Sequence, residues 1–330
     1  MATMDARTTR RGIALTELAF GTAPVAGMHT LVSEEQAAAT LDAAWDAGFR
    51  YFDTAPHYGL GLAERRLGAA LAGRPRDEVV VSTKVGRLLV PNPGGEDRLD
   101  DDGFAVPAVV RRQFDFSRDG VLRSLEESLE RLGLDRVDIV YLHDPDEHWE
   151  AASTTGVDTL VELRDQGVVT AIGVGMNQSA MLTEFVRRTD IDLVLVAGRY
   201  TLLEQGALDD LLPAAAERGV GVVAGAIYNS GLLSRPRPAA DATYDYAPVS
   251  AEVRQRAERI AERCEAHGVA LPEVAVRFPL RNPQVVSALV GLRSPEEVSE
   301  AVRRAAVPVP DDLWGDLAEA GLLDAREVRR

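Results

Sequence analysis

The chain has 330 residues, 46% hydrophobic and 27% charged, which suits one large α/β barrel or two ordinary domains. Its 52 acidic residues outnumber the 36 basic ones, and the net charge of −16 repels nucleic acid and anionic membranes alike. No apolar run approaches the roughly 18 residues of a membrane span, the first residues lack the apolar core of a signal peptide, and the single cysteine, Cys264, excludes an internal disulfide. A cytoplasmic setting is expected.

Residues 1–11 read as a short tail. A strand over 18–21 is followed by Ser33-Glu34-Glu35-Gln36, a capping-box signature, and a helix over 37–47 that stops at Gly48. Strand 50–53 feeds helix 62–71, and strand 79–83 precedes a long polar segment, 86–118. Helix 121–132 carries Val121, Leu122, Leu125, Leu129 and Leu132 at the helical period. Strands over 137–142, 170–174, 192–196, 220–224 and 285–290 then alternate with helices over 156–166, 178–187, 206–218, 253–267 and 295–303. Residues 313–323 suggest a last helix near the barrel mouth or side.

Eight strands alternating with helices predict an α/β chain folded as a (β/α)8 TIM barrel, one domain over 1–330 with its core at about 12–305. A doubly wound sheet is the other candidate, but no G-x-G-x-x-G follows an early strand. The two longest connections, 86–118 and 227–250, leave carboxyl ends of strands, where loops shape pockets.

Three strands end on proton-handling groups: Asp53, with Tyr58 five residues on, then Lys84, then His143. In a barrel those ends share one face. Lys84 beside Tyr58 favours the phenolate, Asp53 holds Lys84 charged, and His143 donates to a carbonyl oxygen. Such a site exchanges a proton with an oxygen whose carbon gains or loses hydride. Metal hydrolysis is the competing reading. No strand supplies a His-x-His pair, and His143, Asp144, Asp146 and His148 form only a loose candidate set, so no metal is expected. Serine nucleophilic catalysis lacks its G-x-S-x-G motif.

The runs Asp53-Thr54-Ala55-Pro56-His57-Tyr58-Gly59, Thr83-Lys84-Val85-Gly86 and Asp138 to His143 resemble the aldo-keto reductases. The resemblance implies a catalytic tetrad of Asp53, Tyr58, Lys84 and His143 and an extended nicotinamide dinucleotide held without a Rossmann fingerprint. It places the nicotinamide carboxamide at Asn177, with Met176 where the family has serine, Ala197 where it has glutamine, and Gly225 where it has an aromatic ring. Met176 or Tyr228 is expected to supply some of the missing contact. Asn229-Ser230-Gly231-Leu232-Leu233 resembles the pyrophosphate loop, and Gly291, Arg293 and Glu297 the adenosine end. Gly291 and Glu297 stand where members using the 2′-phosphorylated cofactor carry lysine and arginine, so NAD is favoured, with NADP possible.

These departures resemble a subgroup of aldose 1-dehydrogenases and pyridoxal 4-dehydrogenase. The implied substrate is a small sugar or aldehyde: an L-fucose-like or D-threo aldose oxidised at its anomeric carbon to a lactone, or a pyridoxal-like aldehyde. Carbonyl reduction in secondary metabolism is the alternative. His57, Trp149, Arg199 and Tyr228 adjoin strand ends and are the candidate substrate contacts. The oligomeric state is left open.

Overall fold

The computed structural model describes residues 4–245 and 247–328. Eight parallel strands close a barrel: β1 (Leu18–Gly21), β2 (Tyr51–Asp53), β3 (Val80–Val85), β4 (Ile139–His143), β5 (Ala171–Met176), β6 (Leu193–Ala197), β7 (Gly221–Gly225) and β8 (Val285–Gly291). They pair in sequence order, and β8 returns to β1. Helices such as Glu34–Asp46, Leu62–Leu71, Arg118–Leu132 and Pro295–Ala305 form the outer ring, so the expected (β/α)8 architecture is the one observed.

Alternation along each strand sorts side chains into two layers. Phe52, Val81, Val85, Val140, Leu142, Ile172, Val174 and Met176 point outward into the apolar shell under the helices. Tyr51, Ile139, Tyr141, Leu193, Leu195 and Val223 point inward and fill the barrel. Burying each such side chain contributes about 1.5–3 kcal/mol. The inward positions at the carboxyl ends of β2, β3 and β4 then fall to Asp53, Lys84 and His143, all buried.

Local chemistry sets the helix ends. Ser33 accepts from the Gln36 N–H at 3.1 Å, as the capping box predicts, but the Gln36 side chain reaches the Arg293 carbonyl oxygen (2.9 Å) and ties the first helix to the loop after β8. Gly133, at φ +62°, ends Arg118–Leu132 in the left-handed conformation that glycine adopts without cost.

Several elements differ from the sequence expectations. Residues 6–16 are not a tail: Ala6–Thr8 pairs with Ala14–Thr16, and Ile13 and Leu15 plug the amino-terminal end of the barrel. Arg7 donates to the carbonyl oxygens of Leu280 and Val285, and Arg10 and Arg11 pair with buried Asp192, which pins the hairpin there. The long polar segment contains a second hairpin, Arg87–Pro91 with Val110–Phe114, in a register that sets Arg87 opposite Phe114. Gly86 makes its entry possible. Its φ is +95°, and an added Cβ would lie 2.1 Å from Phe116. Helix Leu271–Arg277 was also missed. No helix among the described residues is long and apolar enough to cross a membrane.

Candidate active site

The four residues named from strand ends meet at the carboxyl face of the barrel. Lys84 Nζ donates to Asp53 Oδ2 at 2.6 Å, to the Thr54 carbonyl oxygen at 3.1 Å and to the Tyr58 hydroxyl at 3.0 Å. Tyr58 reaches this point because its loop folds back through a left-handed turn. Gly59 has φ +58°, and an added Cβ would lie 2.8 Å from the Ala26 carbonyl oxygen, so only glycine fits. The His143 ring stands edge-on to Tyr58 with centroids 5.8 Å apart.

A hydroxyl column supports the carboxylate from below. Ser82 Oγ donates to Asp53 Oδ1 at 2.7 Å, Tyr51 OH lies 3.2 Å from Ser82 Oγ, and Tyr141 OH lies 3.2 Å from Tyr51 OH. Both oxygens of Asp53 are therefore engaged, so the carboxylate cannot rotate away from Lys84.

The electrostatics partly follow the sequence argument. Burial opposes the Lys84 charge, but Asp53 and Tyr58 outweigh it and hold the ammonium above the ordinary lysine range. Burial pushes the Tyr58 phenol up to about 12, even though Lys84 pulls it down. Without bound cofactor Tyr58 is a phenol rather than the phenolate that the Lys84 contact alone suggested. Burial, reinforced by Arg87 and Lys84, depresses His143 well below the ordinary histidine range. His143 is thus a neutral imidazole, and its Nδ1 has no hydrogen-bond partner among the described residues.

Beside the tetrad, the ends of β5, β6 and β7 leave a cavity of about 150 Å³ whose lining includes Asn177, Ala197, Ala226, Asn229 and Ser230. Its lining combines small side chains with the amides of Asn177 and Asn229 and the paired charges of Arg199 and Asp245.

Residues 17–321 match the aldo/keto reductase family. The chain is 47% identical to a D-threo-aldose 1-dehydrogenase of a Pseudomonas species, over 98% of this chain and 99% of that one. It is 38% identical to a pyridoxal 4-dehydrogenase of Microbacterium luteolum, over 95% and 96%. In fold it is similar to a glycerol dehydrogenase of Gluconobacter oxydans, with a TM-score of 0.77 at 24% identity over 99% and 97% of the two chains.

The chain belongs to the aldo/keto reductase family. It is an NAD(P)-dependent oxidoreductase.

In this reductase the cofactor candidates separate into two groups. Asn177, Asn229 and Ser230 line the cavity. Asn229, Ser230 and Gly231 all have positive φ (+45°, +56° and +90°), and the Asn229 side chain holds that turn by accepting from Thr201 Oγ1 at 2.7 Å. Gly291 is exposed and abuts Pro24, where an added Cβ would lie 2.8 Å from Cγ. Glu297 accepts the Arg293 backbone N–H at 2.9 Å and keeps its carboxylate 3.7 Å from the guanidinium. Met176 and Leu233 are corrections. Strand alternation turns Met176 outward into the core, and Leu233 is fully buried there, so neither side chain faces the cavity.

The substrate candidates separate too. His57 lies within the site, its ring 5.4 Å from that of His143. Trp149 instead packs on Phe185 with centroids 4.7 Å apart and under Arg188, against the helical shell. Tyr228 directs its hydroxyl to the Pro272 carbonyl oxygen (3.5 Å), with Arg304 over its ring, away from the tetrad. Arg199 is clasped by Asp245 at 2.8 Å across the cofactor-side cavity. None of these three makes a contact with the tetrad.

Sequence reasoning missed Arg87 and Arg112. Arg87 pairs with Asp144 and reaches His57 Nδ1 at 3.3 Å. Arg112 donates to the His57 carbonyl oxygen at 2.8 Å and pairs with Asp100 and Asp102. Both lie on the hairpin that was expected to be an irregular loop, so no strand pattern pointed to them. Among the described residues no group of three His, Cys, Asp or Glu side chains could hold a metal. His148 of the competing metal reading stacks on Phe114, at 4.8 Å.

Proposed function

We propose that this enzyme oxidises the anomeric carbon of a small neutral aldose, of the D-threo or L-fucose type, to the lactone. The observation that carries the proposal is the Asp53–Lys84–Tyr58 chain of 2.6 and 3.0 Å contacts, which ends in a phenol beside a neutral histidine. The aldose class is supported by the D-threo-aldose 1-dehydrogenase relative at 47% identity.

The roles follow from the geometry. His143, held neutral by burial, orients the anomeric oxygen by a hydrogen bond. Tyr58 takes the proton of the anomeric hydroxyl at its own oxygen while Lys84, 3.0 Å away, stabilises the negative charge that this oxygen carries beforehand. A bound oxidised dinucleotide would supply the hydride acceptor. Asp53 and Ser82 hold Lys84 in position. Reversed, Tyr58 donates the proton and the same site reduces a carbonyl.

For the cofactor, Asn177 would hold the carboxamide, and Asn229, Ser230 and Gly231 the pyrophosphate. Glu297 at the helix start disfavours a 2′-phosphate, so NAD is the preferred form. Pyridoxal is the second substrate class, supported by the relative at 38% identity. We assign the enzyme to the cytoplasm, where a reduced thiol such as Cys264 and a dinucleotide pool coexist.

A matrix of NAD⁺ and NADP⁺ against neutral aldoses and pyridoxal, followed by absorbance of the reduced cofactor, tests the proposal. Turnover of an aldose with NAD⁺ and lactone as product is expected. Turnover of simple aldehydes alone would overturn the sugar assignment.

A further inference from the structure

We propose that Arg87, Asp144 and Phe114 form the subsite that recognises the hydroxyl-bearing carbons of the substrate next to the reacting one. This rests on the substrate class argued above and extends it to named residues. The contacts run without a gap from the tetrad outward. His143 Nε2 lies 3.5 Å from Asp144 Oδ2, Asp144 pairs with Arg87, and the Arg87 guanidinium lies 5.0 Å from the centroid of the Phe114 ring.

Each member is placed at some cost. Asp144 is a non-glycine residue at φ +42°, a conformation of order 1 kcal/mol above the ordinary regions, held by its N–H on the Gly175 carbonyl oxygen at 2.9 Å. Strain of this kind concentrates at functional sites. Arg87 Nε is buried with no hydrogen-bond partner among the described residues, and so is His143 Nδ1. Native interiors rarely leave such donors and acceptors unpaired, and here two of them belong to neighbouring members of one polar chain. Phe114 is 42% exposed beside the charged pair even though Arg87 and His148 pack on its ring.

The chemistry of this group selects a neutral polyol. Arg87 offers donors and Asp144 an acceptor, and a carbon bearing a hydroxyl needs both. The exposed part of the Phe114 ring offers an apolar edge for the C–H side of the same sugar. An anionic substrate is disfavoured. The guanidinium groups of Arg87 and Arg112 face the carboxylates of Asp144, Asp100 and Asp102, two positive charges against three negative.

The test compares matched carbonyl substrates in the reducing direction, which needs only the chemistry of the family. Glyceraldehyde, propanal and glyceraldehyde 3-phosphate are assayed with the wild-type enzyme and with Asp144→Asn, Arg87→Lys and Phe114→Ala. Wild type is expected to prefer glyceraldehyde over both others in kcat/KM. Asp144→Asn should lower the glyceraldehyde-to-propanal ratio by about 10- to 100-fold, the loss of one charged hydrogen bond, and should act mainly through KM. Arg87→Lys and Phe114→Ala should lower the same ratio. Equal losses on glyceraldehyde and propanal, or an unchanged ratio, would overturn the subsite, as would a wild-type preference for the phosphate. Thermal midpoints identify a variant that has failed to fold, and the remaining two then decide. Failure of the wild type to form lactone from any aldose would overturn the function proposed above while leaving this ratio readable.

Discussion

Lys84 Nζ sits 3.0 Å from the Tyr58 hydroxyl, and the same ammonium lies 4.6 Å from the Tyr58 ring centroid, so it approaches the oxygen from above the ring edge. The contact is fully enclosed on the Lys84 side, whose side chain is 2% exposed. Burial outweighs this contact and leaves the phenol protonated.

Replacing Tyr58 with phenylalanine removes the proton acceptor and leaves the cofactor cavity intact. We expect kcat to fall by about 10²–10⁴ while the dissociation constant for the dinucleotide changes little. Steady-state rates and fluorescence titration check both. An unchanged kcat would remove Tyr58 from the mechanism.

Oxidation needs the ionised phenol, and burial raises Tyr58 to about 12 in the free enzyme. Below that value the phenolate fraction grows about tenfold per pH unit. The oxidative rate should therefore rise with pH between about 7 and 10, and reduction, which consumes the protonated form, should not. Single-turnover profiles in both directions measure this. An oxidative rate independent of pH would exclude Tyr58 as the base.

The Asp53–Lys84 pair is buried, with side-chain exposures of 1% and 2%. Asp53→Asn leaves the ammonium without its counter-charge and should cost about 3–5 kcal/mol of stability together with most of the activity. Ser82→Ala removes the donor to Asp53 Oδ1 and the neighbour of Tyr51 OH, leaves the Lys84 counter-charge in place, and should cost about 1 kcal/mol. Urea titrations of both variants decide. Equal effects would mean that Asp53 is not anchored as the hydroxyl column suggests.

Two neutral histidines make the fold sensitive to acid. Burial, then Arg87, Arg112 and Lys84, bring His57 down to about 2, and similar causes depress His143 below 6.5. Each is depressed in the folded state and takes up a proton on unfolding. Its stabilising effect is complete above pH 6.5 and is lost as pH falls, for His57 over the range down to about 2. The slope approaches about 1.4 kcal/mol per pH unit for each histidine. His57→Gln should halve the slope measured by urea titration between pH 6.5 and 5, before carboxylates dominate.

Glu297 combines a charge with a structural bond to the Arg293 N–H, at 2.9 Å. Glu297→Gln keeps an acceptor and removes the charge, and Glu297→Arg reverses it. The ratio of kcat/KM for NADP⁺ to that for NAD⁺ should rise in the order wild type, Gln, Arg. A constant ratio would show that this helix start does not face the adenosine.

The barrel was legible because strands and helices alternate with little interruption, and the tetrad because its members end strands or follow one closely. Asp53, Lys84 and His143 occupy inward positions, which places them on one face once the barrel closes. The errors have a common cause. Met176 was read from its place in a motif, but strand parity turns it into the outer core. Trp149 and Tyr228 adjoin strand ends in sequence, yet Phe185 and Pro272 engage them elsewhere, while Arg199 pairs with Asp245 at the cavity rim.

By itself the sequence determined the sheet, the ring of helices and the candidates for the reacting groups, since these depend on periodicity and on residues fixed near strand ends. The tertiary structure decided what surrounds them: that a hairpin carries Arg87 and Arg112 over His57, that Asp144 turns back toward His143, and that burial leaves Tyr58 protonated. The contacts of Arg87 and Arg112 with His57 join residues far apart along the chain, and desolvation depends on every atom packed around a group, so neither has a local signature in the order of amino acids.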